Sequence, residues 1–271
     1  MTSLTHESTR DGLSALCFDA MGTLIETTEP VGEVYRRVAL EFGVDLPAWR
    51  LEDAFRRILR HAPPRGLDGD TPAARCQAEV EWWHERIRQT FQATDSTVRF
   101  ADFPAFAAAL FDRYRQAGAW RVRPGVAEML ARLRARGWPL GLVSNFDHRL
   151  HFILQDLGIE EDFYFLGIPS TVGFAKPDRH VFESAASRLG QPISRLGYVG
   201  DDSPETLEAI ARLGVRVFDA REIGSWADFT EQIAVPAKLR SASGPTSPRP
   251  ASGTMPSPAT AANGREREAS K

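Results

Sequence analysis

The chain has 271 residues, enough for one large core or two modest ones. Its 42% hydrophobic and 25% charged residues fit an ordinary globular protein and argue against a disordered or fibrous one. A formal net charge of -3 gives no reason to expect a nucleic-acid partner, and no stretch approaches the apolar length of a membrane span.

Residues 1–12 are polar, have no apolar signal-like run and read as a flexible leader, so a cytoplasmic location is expected. Ala15-Leu-Cys-Phe18 is a short unbroken apolar run that opens into a glycine-containing loop at Asp19 to Leu24. A strand buried on both faces reads this way. From Pro30 the pattern turns helical, with Val31, Val34, Val38 and Phe42 at spacings of three and four. Leu51, Phe55 and Ile58 continue it. Residues 62–73, rich in Pro, Gly and Asp, read as a loop, followed by helices over about 75–92 and 104–116. No strand is expected between 26 and 118.

A strand and helix rhythm then returns. A helix from Pro124-Gly125 to Arg136 precedes a strand through Trp138 to Phe146, with Ser144 at its end. His148 to Leu157 reads as helix, Tyr164 to Gly167 as strand, and Pro177-Asp178 as the start of a helix ending near Gly190. Leu196 to Gly200 is a strand leading into Asp201-Asp202, Pro204 to Leu213 a helix, and Val215 to Phe218 the last strand. The fold expected is α/β: a Rossmann-like parallel sheet core over 13–25 and 119–240, with an inserted α-helical cap domain over 26–118. Residues 241–271, dominated by Pro, Ser, Ala and Gly, read as a disordered tail.

Asp19, Ser144, Lys176 and Asp201 all fall at or just beyond strand ends, where open α/β sheets gather ligands. Each has two readings. Asp19 is a turn aspartate or a nucleophile able to form a covalent intermediate. Gly22 and Thr23 beside it supply a tight turn, exposed amides and a hydroxyl that suit an anion. Ser144, followed by Asn145, is a helix cap or a donor to a phosphoryl oxygen. Lys176 is a surface lysine or a counter-charge for a nucleophile and bound anion. Asp201 and Asp202 are a solvated pair or part of a Mg²⁺ site, with Asp19 and the backbone carbonyl of Met21 as further ligands. The six histidines form no HExxH or zinc spacing, and the two cysteines, Cys17 and Cys76, no CxxC. Cys17 reads as a buried small hydrophobe, and His148, His151 and His180 as surface or local bonding residues. Trp82, Trp83 and Phe91 either pack the helical block or line a substrate pocket.

Phe18-Asp-Ala-Met-Gly-Thr-Leu24, Val143-Ser-Asn-Phe-Asp147, Ala175-Lys-Pro-Asp178 and Val199-Gly-Asp-Asp202 follow one another as the four motifs of haloacid dehalogenase-like hydrolases do. The chain resembles that superfamily over roughly residues 15–235, in its helical-cap subgroup. Pro30-Val-Gly-Glu-Val-Tyr35 and Glu81-Trp-Trp83 resemble the haloacid dehalogenase-like domain-containing protein 3 branch. The resemblance implies that Asp19 is the nucleophile, Ser144 the phosphate-binding hydroxyl, Lys176 the neutralising lysine and Asp201 the metal acid. It implies Mg²⁺ as cofactor and Asp202 as a supporting acid.

Two departures stand out. Phosphatases of the family usually carry an Asp two residues after the nucleophile as general acid/base, and this chain has Met21. Losing such a partner typically costs about 10²–10⁴-fold in rate. The later acid of the fourth motif is Thr206 here, and Glu205, one residue nearer, is the candidate substitute. Three functions remain open: a Mg²⁺-dependent phosphatase acting on a small phosphorylated metabolite through an aspartyl phosphate, a 2-haloacid dehalogenase, and a weakly active or non-catalytic interaction protein. A monomer or homodimer is expected, with a small-molecule substrate and neither nucleic acid nor membrane as partner.

Overall fold

Residues 15–18 are apolar at every position because they form the middle strand of a sheet covered on both faces. The computed structural model describes residues 12–63, 65 and 69–233, and the expected tail and all but the last residue of the expected leader lie outside them. Chain order is β1 (Ala15–Phe18), β2 (Ile25–Thr27), α1 (Val31–Glu41), α2 (Ala48–Arg60), α3 (Pro72–Thr94), α4 (Phe103–Arg113) and β3 (Trp120–Val122). Then come α5 (Val126–Ala135), β4 (Leu140–Val143), α6 (Leu150–Asp156), β5 (Phe165–Gly167), α7 (Pro169–Val172) and α8 (Arg179–Arg188). The remaining elements are β6 (Leu196–Gly200), α9 (Pro204–Arg212), β7 (Arg216–Asp219) and α10 (Trp226–Gln232).

Five strands form a parallel sheet in the order β5-β4-β1-β6-β7, the Rossmann-like α/β arrangement. Alternate residues of β1 serve opposite faces. Leu16 and Phe18 join Met129, Leu133, Ile153 and Phe229 from α5, α6 and α10. Ala15 and Cys17 join Val181, Phe182 and Ile210 from α8 and α9. Burial pushes the Cys17 thiol up to about 12, so it stays protonated and behaves as a small apolar group.

Helices α1 to α4 intervene between β2 and β3 and share a separate cluster that includes Tyr35, Phe91, Phe106 and Leu110. Phe106 is its hub: it stacks on Phe100 at 4.1 Å between ring centres and meets Phe91 edge-on at 5.0 Å. Local sequence sets the ends of these helices. Thr71 accepts a hydrogen bond from Ala74 N, and Asp102 from Ala105 N, each with proline in the first turn. Among the described residues, no helix is long and apolar enough to cross a membrane.

Three differences from the sequence-based elements have local causes. Ile25–Thr27 pairs antiparallel with Trp120–Val122, a ribbon of three residues per strand that is too short to display an alternating pattern. Helix α6 starts at Leu150 rather than His148, because Asp147 Oδ1 accepts from Arg149 N at 3.1 Å and holds residues 147–149 in a turn. Helix α10 escapes a periodicity search because it has only 7 residues; Ser225 caps it, and Phe229 docks it on the core.

The Phe106→Ala substitution should lower unfolding free energy by about 3–5 kcal/mol, since a fully buried ring leaves a cavity that its neighbours cannot fill. The measurement is a urea titration, in which the midpoint should fall while the slope is kept.

Candidate active site

The sheet order puts β1 between β4 and β6, so the chain leaves β1 toward one side and later returns to the other. Ligand crevices of open α/β sheets lie at such a reversal, beyond the carboxyl ends of the strands. Asp19 follows β1, Ser144 follows β4, and Asp201 and Asp202 follow β6. Lys176 arrives from the segment between α7 and α8.

Lys176 is the meeting point of these groups. Its Nζ lies 2.9 Å from Asp19 Oδ1 and 2.9 Å from Asp202 Oδ1. It also donates to Asp202 Oδ2 at 3.0 Å and to the Tyr198 hydroxyl at 2.5 Å. Tyr198 donates in turn to Asp202 Oδ2 at 2.5 Å. Burial works against the ammonium, but the charges of Asp19 and Asp202 outweigh it, and the pKa of Lys176 is raised. Burial, together with the same two carboxylates, pushes the Tyr198 phenol well up, so it remains a neutral donor.

The other expected residues divide into those that face the reaction space and those that hold neighbours. Asp19 and Ser144 are buried and border a common cavity with Met21, Asn145, Lys176 and Asp202. The Asn145 side chain is committed to Lys176: its Oδ1 accepts from Lys176 N at 2.7 Å, and its Nδ2 donates to Lys176 O at 3.0 Å. The Thr23 hydroxyl donates to Asp201 Oδ1 at 3.2 Å. Gly22 has φ of 80°, and a Cβ there would sit 2.0 Å from Asp201 Oδ2. Only glycine allows this turn and the close seat of the Asp201 carboxylate together. Glu205 is exposed in the first turn of α9, its carboxylate held low by its own backbone N–H and by the Ser203 hydroxyl.

The acids fit a divalent cation. The pKa of Asp201 is raised, by burial first and by the charge of Asp19 second. Asp19 Oδ1 is buried and, beyond its ion pair with Lys176, receives no hydrogen bond. Asp201, whose ionisation the Asp19 charge opposes, forms with Asp19 an oxygen-donor set of the kind Mg²⁺ takes.

Above these groups the cavity is aromatic and aliphatic. Its volume is about 210 Å³, and Tyr35, Ile87, Leu110, Phe111, Tyr114 and Trp120 form much of its wall. The buried Tyr114 hydroxyl has no hydrogen-bond partner. Phe91 packs inside the helical cluster, whereas Trp83 reaches the cavity.

A second polar centre joins the helical block to the sheet; Asp147 closes the second motif, but Trp83 and Arg65 share no spacing with it. Asp147 is fully buried. Arg149 grips it through Nε to Oδ1 and Nη2 to Oδ2, both at 2.7 Å. Trp83 of α3 donates Nε1–H to Asp147 Oδ2 at 2.7 Å, and Arg65 lies 3.5 Å from the same oxygen. Arg149 also donates to the Phe111 carbonyl at 3.0 Å and stacks on the Phe111 ring. Burial would raise the Asp147 pKa, but the charge and hydrogen bonds of Arg149, helped by Arg65, hold it well below the usual carboxylate range. Arg65, in the loop before α3, sits over Trp82 and Trp83 and is the cap arginine that borders the cavity.

Comparison with known families matches residues 13–214 to a hydrolase family described as haloacid dehalogenase-like hydrolase. A Mus musculus protein named haloacid dehalogenase-like hydrolase domain-containing protein 3 is 33% identical over 190 residues, covering 69% of this chain and 73% of that protein. A crystal structure of an L-2-haloacid dehalogenase superposes with a TM-score of 0.60 at 18% identity, covering 81% of this chain and 98% of that one. A putative β-phosphoglucomutase from Thermotoga maritima superposes at 0.58 with 22% identity, covering 82% and 93%. At these identities the two structures speak for the fold alone.

The Asp147→Asn substitution should cost about 3–5 kcal/mol at neutral pH, because it leaves the Arg149 charge buried without its partner. Asp147 is held below its unfolded value, so its contribution is complete above about pH 4 and fades as pH falls below that. Denaturation of both proteins across pH should therefore show the largest gap near neutrality and a narrowing gap in acid.

Proposed function

This chain belongs to the haloacid dehalogenase-like hydrolase family, and on that premise we propose that it is a Mg²⁺-dependent phosphatase for small phosphomonoesters with an apolar leaving group. The observation that carries the reading is the buried Lys176 ammonium, 2.9 Å from Asp19, in the polar end of an otherwise aromatic cavity.

In this reading the Asp19 carboxylate attacks phosphorus, and the bond from phosphorus to the ester oxygen breaks. The departing oxygen leaves with the bonding electron pair and takes its proton from water. Water then attacks the aspartyl phosphate, the bond from phosphorus to the Asp19 oxygen breaks, and inorganic phosphate and free Asp19 result. Lys176, kept charged by its two carboxylates, offsets the negative charge that Asp19 and the phosphoryl group bring together. Ser144 donates its hydroxyl to a phosphoryl oxygen. Asn145, Tyr198 and Asp202 hold Lys176 in place. Asp19, Asp201 and the Met21 carbonyl would hold Mg²⁺, with Thr23 and Gly22 seating Asp201. The cation, when bound, supplies further neutralisation of phosphoryl charge.

Met21 fixes the kind of leaving group. Its side chain borders the cavity and carries no transferable proton. A leaving oxygen that is stable as an anion needs no acid, and an aryl body suits the aromatic wall. The same two features favour a second reading, in which Asp19 displaces halide from a 2-haloacid, because halide also leaves without a proton. Asp201 and its Thr23 and Gly22 seat favour the phosphatase, since displacement of halide gives a metal acid no role.

Inorganic phosphate should be released from an aryl phosphate only when Mg²⁺ is present, and Asp19→Asn should reduce release to background. Met21→Asp should raise kcat on alkyl esters by up to about 10²-fold and on aryl esters much less. Absence of release from both ester classes would overturn the phosphatase reading. Halide release from a 2-haloacid without Mg²⁺ would establish the second in its place.

A further inference from the structure

Away from Asp19, α3 and the turn before α6 bring together Cys76, Glu79 and His148. Cys76 and Glu79 are three residues apart on α3 and so share a face. His148 comes from the other side of the joint. The thiol, a carboxylate oxygen and an imidazole nitrogen all lie within 4.8 Å of one another.

The buried carboxylate is the informative member. Glu79 is fully buried. Its Oε2 accepts from the His148 backbone N–H at 2.9 Å and lies 2.8 Å from His148 Nδ1. Its Oε1 is also buried and has no hydrogen-bond partner. Leaving one oxygen of a buried carboxylate unbonded is costly unless a cation comes to it.

We propose that Cys76, Glu79 and His148 form a Zn²⁺ site, with water as a fourth ligand, that clamps α3 to the turn after β4. Thiolate, imidazole and carboxylate are the donor types zinc takes, whereas Mg²⁺ and Ca²⁺ prefer oxygen alone. Zinc bond lengths of about 2.0–2.3 Å put ligand atoms roughly 3–4 Å apart, a separation within reach of groups that already lie within 4.8 Å of one another. Zinc takes thiolate and neutral imidazole, so affinity should fall as pH is lowered. This site is separate in chemistry from the oxygen-donor set at Asp19 and Asp201.

The test uses the full chain, stripped of metal and titrated with Zn²⁺ against a chromophoric chelator. One ion should bind per chain, and affinity should fall more than about tenfold in Cys76→Ser and in His148→Ala. Asp201→Asn should leave it unchanged. Co²⁺ in place of zinc should give a thiolate-to-metal charge-transfer band that Cys76→Ser removes. Amide exchange in α3 should slow when zinc is added. Cys76 is partly exposed, so Cys76→Ser keeps the fold and suffices if His148→Ala does not. Failure to bind, binding indifferent to Cys76→Ser, or binding abolished by Asp201→Asn would overturn the site. Unchanged exchange in α3 would overturn the clamp.

Discussion

The buried ion pair between Lys176 and the carboxylates of Asp19 and Asp202 is the constraint around which the site is organised. Burial alone would work against the Lys176 charge, and the two carboxylates beside it outweigh that cost. Each is tolerable because the others are present. The arrangement is also held from behind. Asn145 fixes the backbone of Lys176 by two hydrogen bonds, and Tyr198, rising from the central sheet, bonds both Lys176 and Asp202. Three elements beyond the ends of adjacent strands are thereby tied into one unit, and any loss of the central strand would dissolve it.

Asp147 plays the corresponding part at the joint between sheet and helices. Its two oxygens collect Arg149, Trp83 and Arg65. Two of those partners come from the helical insertion, so closing the helices over the sheet completes the pairing of a buried charge. A separated state would expose Trp83 and leave Asp147 with Arg149 alone. Trp83, Arg65 and Arg149 thus both border the cavity and hold the helices to the sheet.

What could be read from the sequence follows from the range of each interaction. The strands of the central sheet were legible because burial on both faces makes them continuously apolar, as in residues 15–18 and 196–200. The polar groups at their ends were legible because crossover connections send those ends to one side. Asn145 and Thr23 stand in the expected motifs, but their side chains are spent on Lys176 and Asp201, a distinction that motif position cannot carry. Trp83 and Asp147 are 64 residues apart, and Arg65 and Asp147 82 apart. No period or spacing links them, since the link is made by the way the helical block folds back. The same reason hides Cys76, Glu79 and His148 from a search for zinc spacing: only two of the three are neighbours along the chain. Residues 62–73 read as a loop from their Pro, Gly and Asp content; Pro72 and Ala73 instead open α3, and the stretch holds Arg65, which borders the cavity.

Met21 and the cavity wall bear on each other. A proton donor at position 21 would let poor leaving groups depart, and a polar wall would select among hydroxylated ones. This chain has neither: a thioether stands beside Asp19, and apolar rings stand above it. The absence of a donor is then less of a defect than it is in isolation. On the proposed reading, an aromatic wall suits an aryl body, whose oxygen leaves without a proton, better than a sugar-like alcohol, which needs one. On that reading, the missing donor beside Asp19 and the aromatic wall from the helical block favour the same leaving group, although different parts of the chain build them.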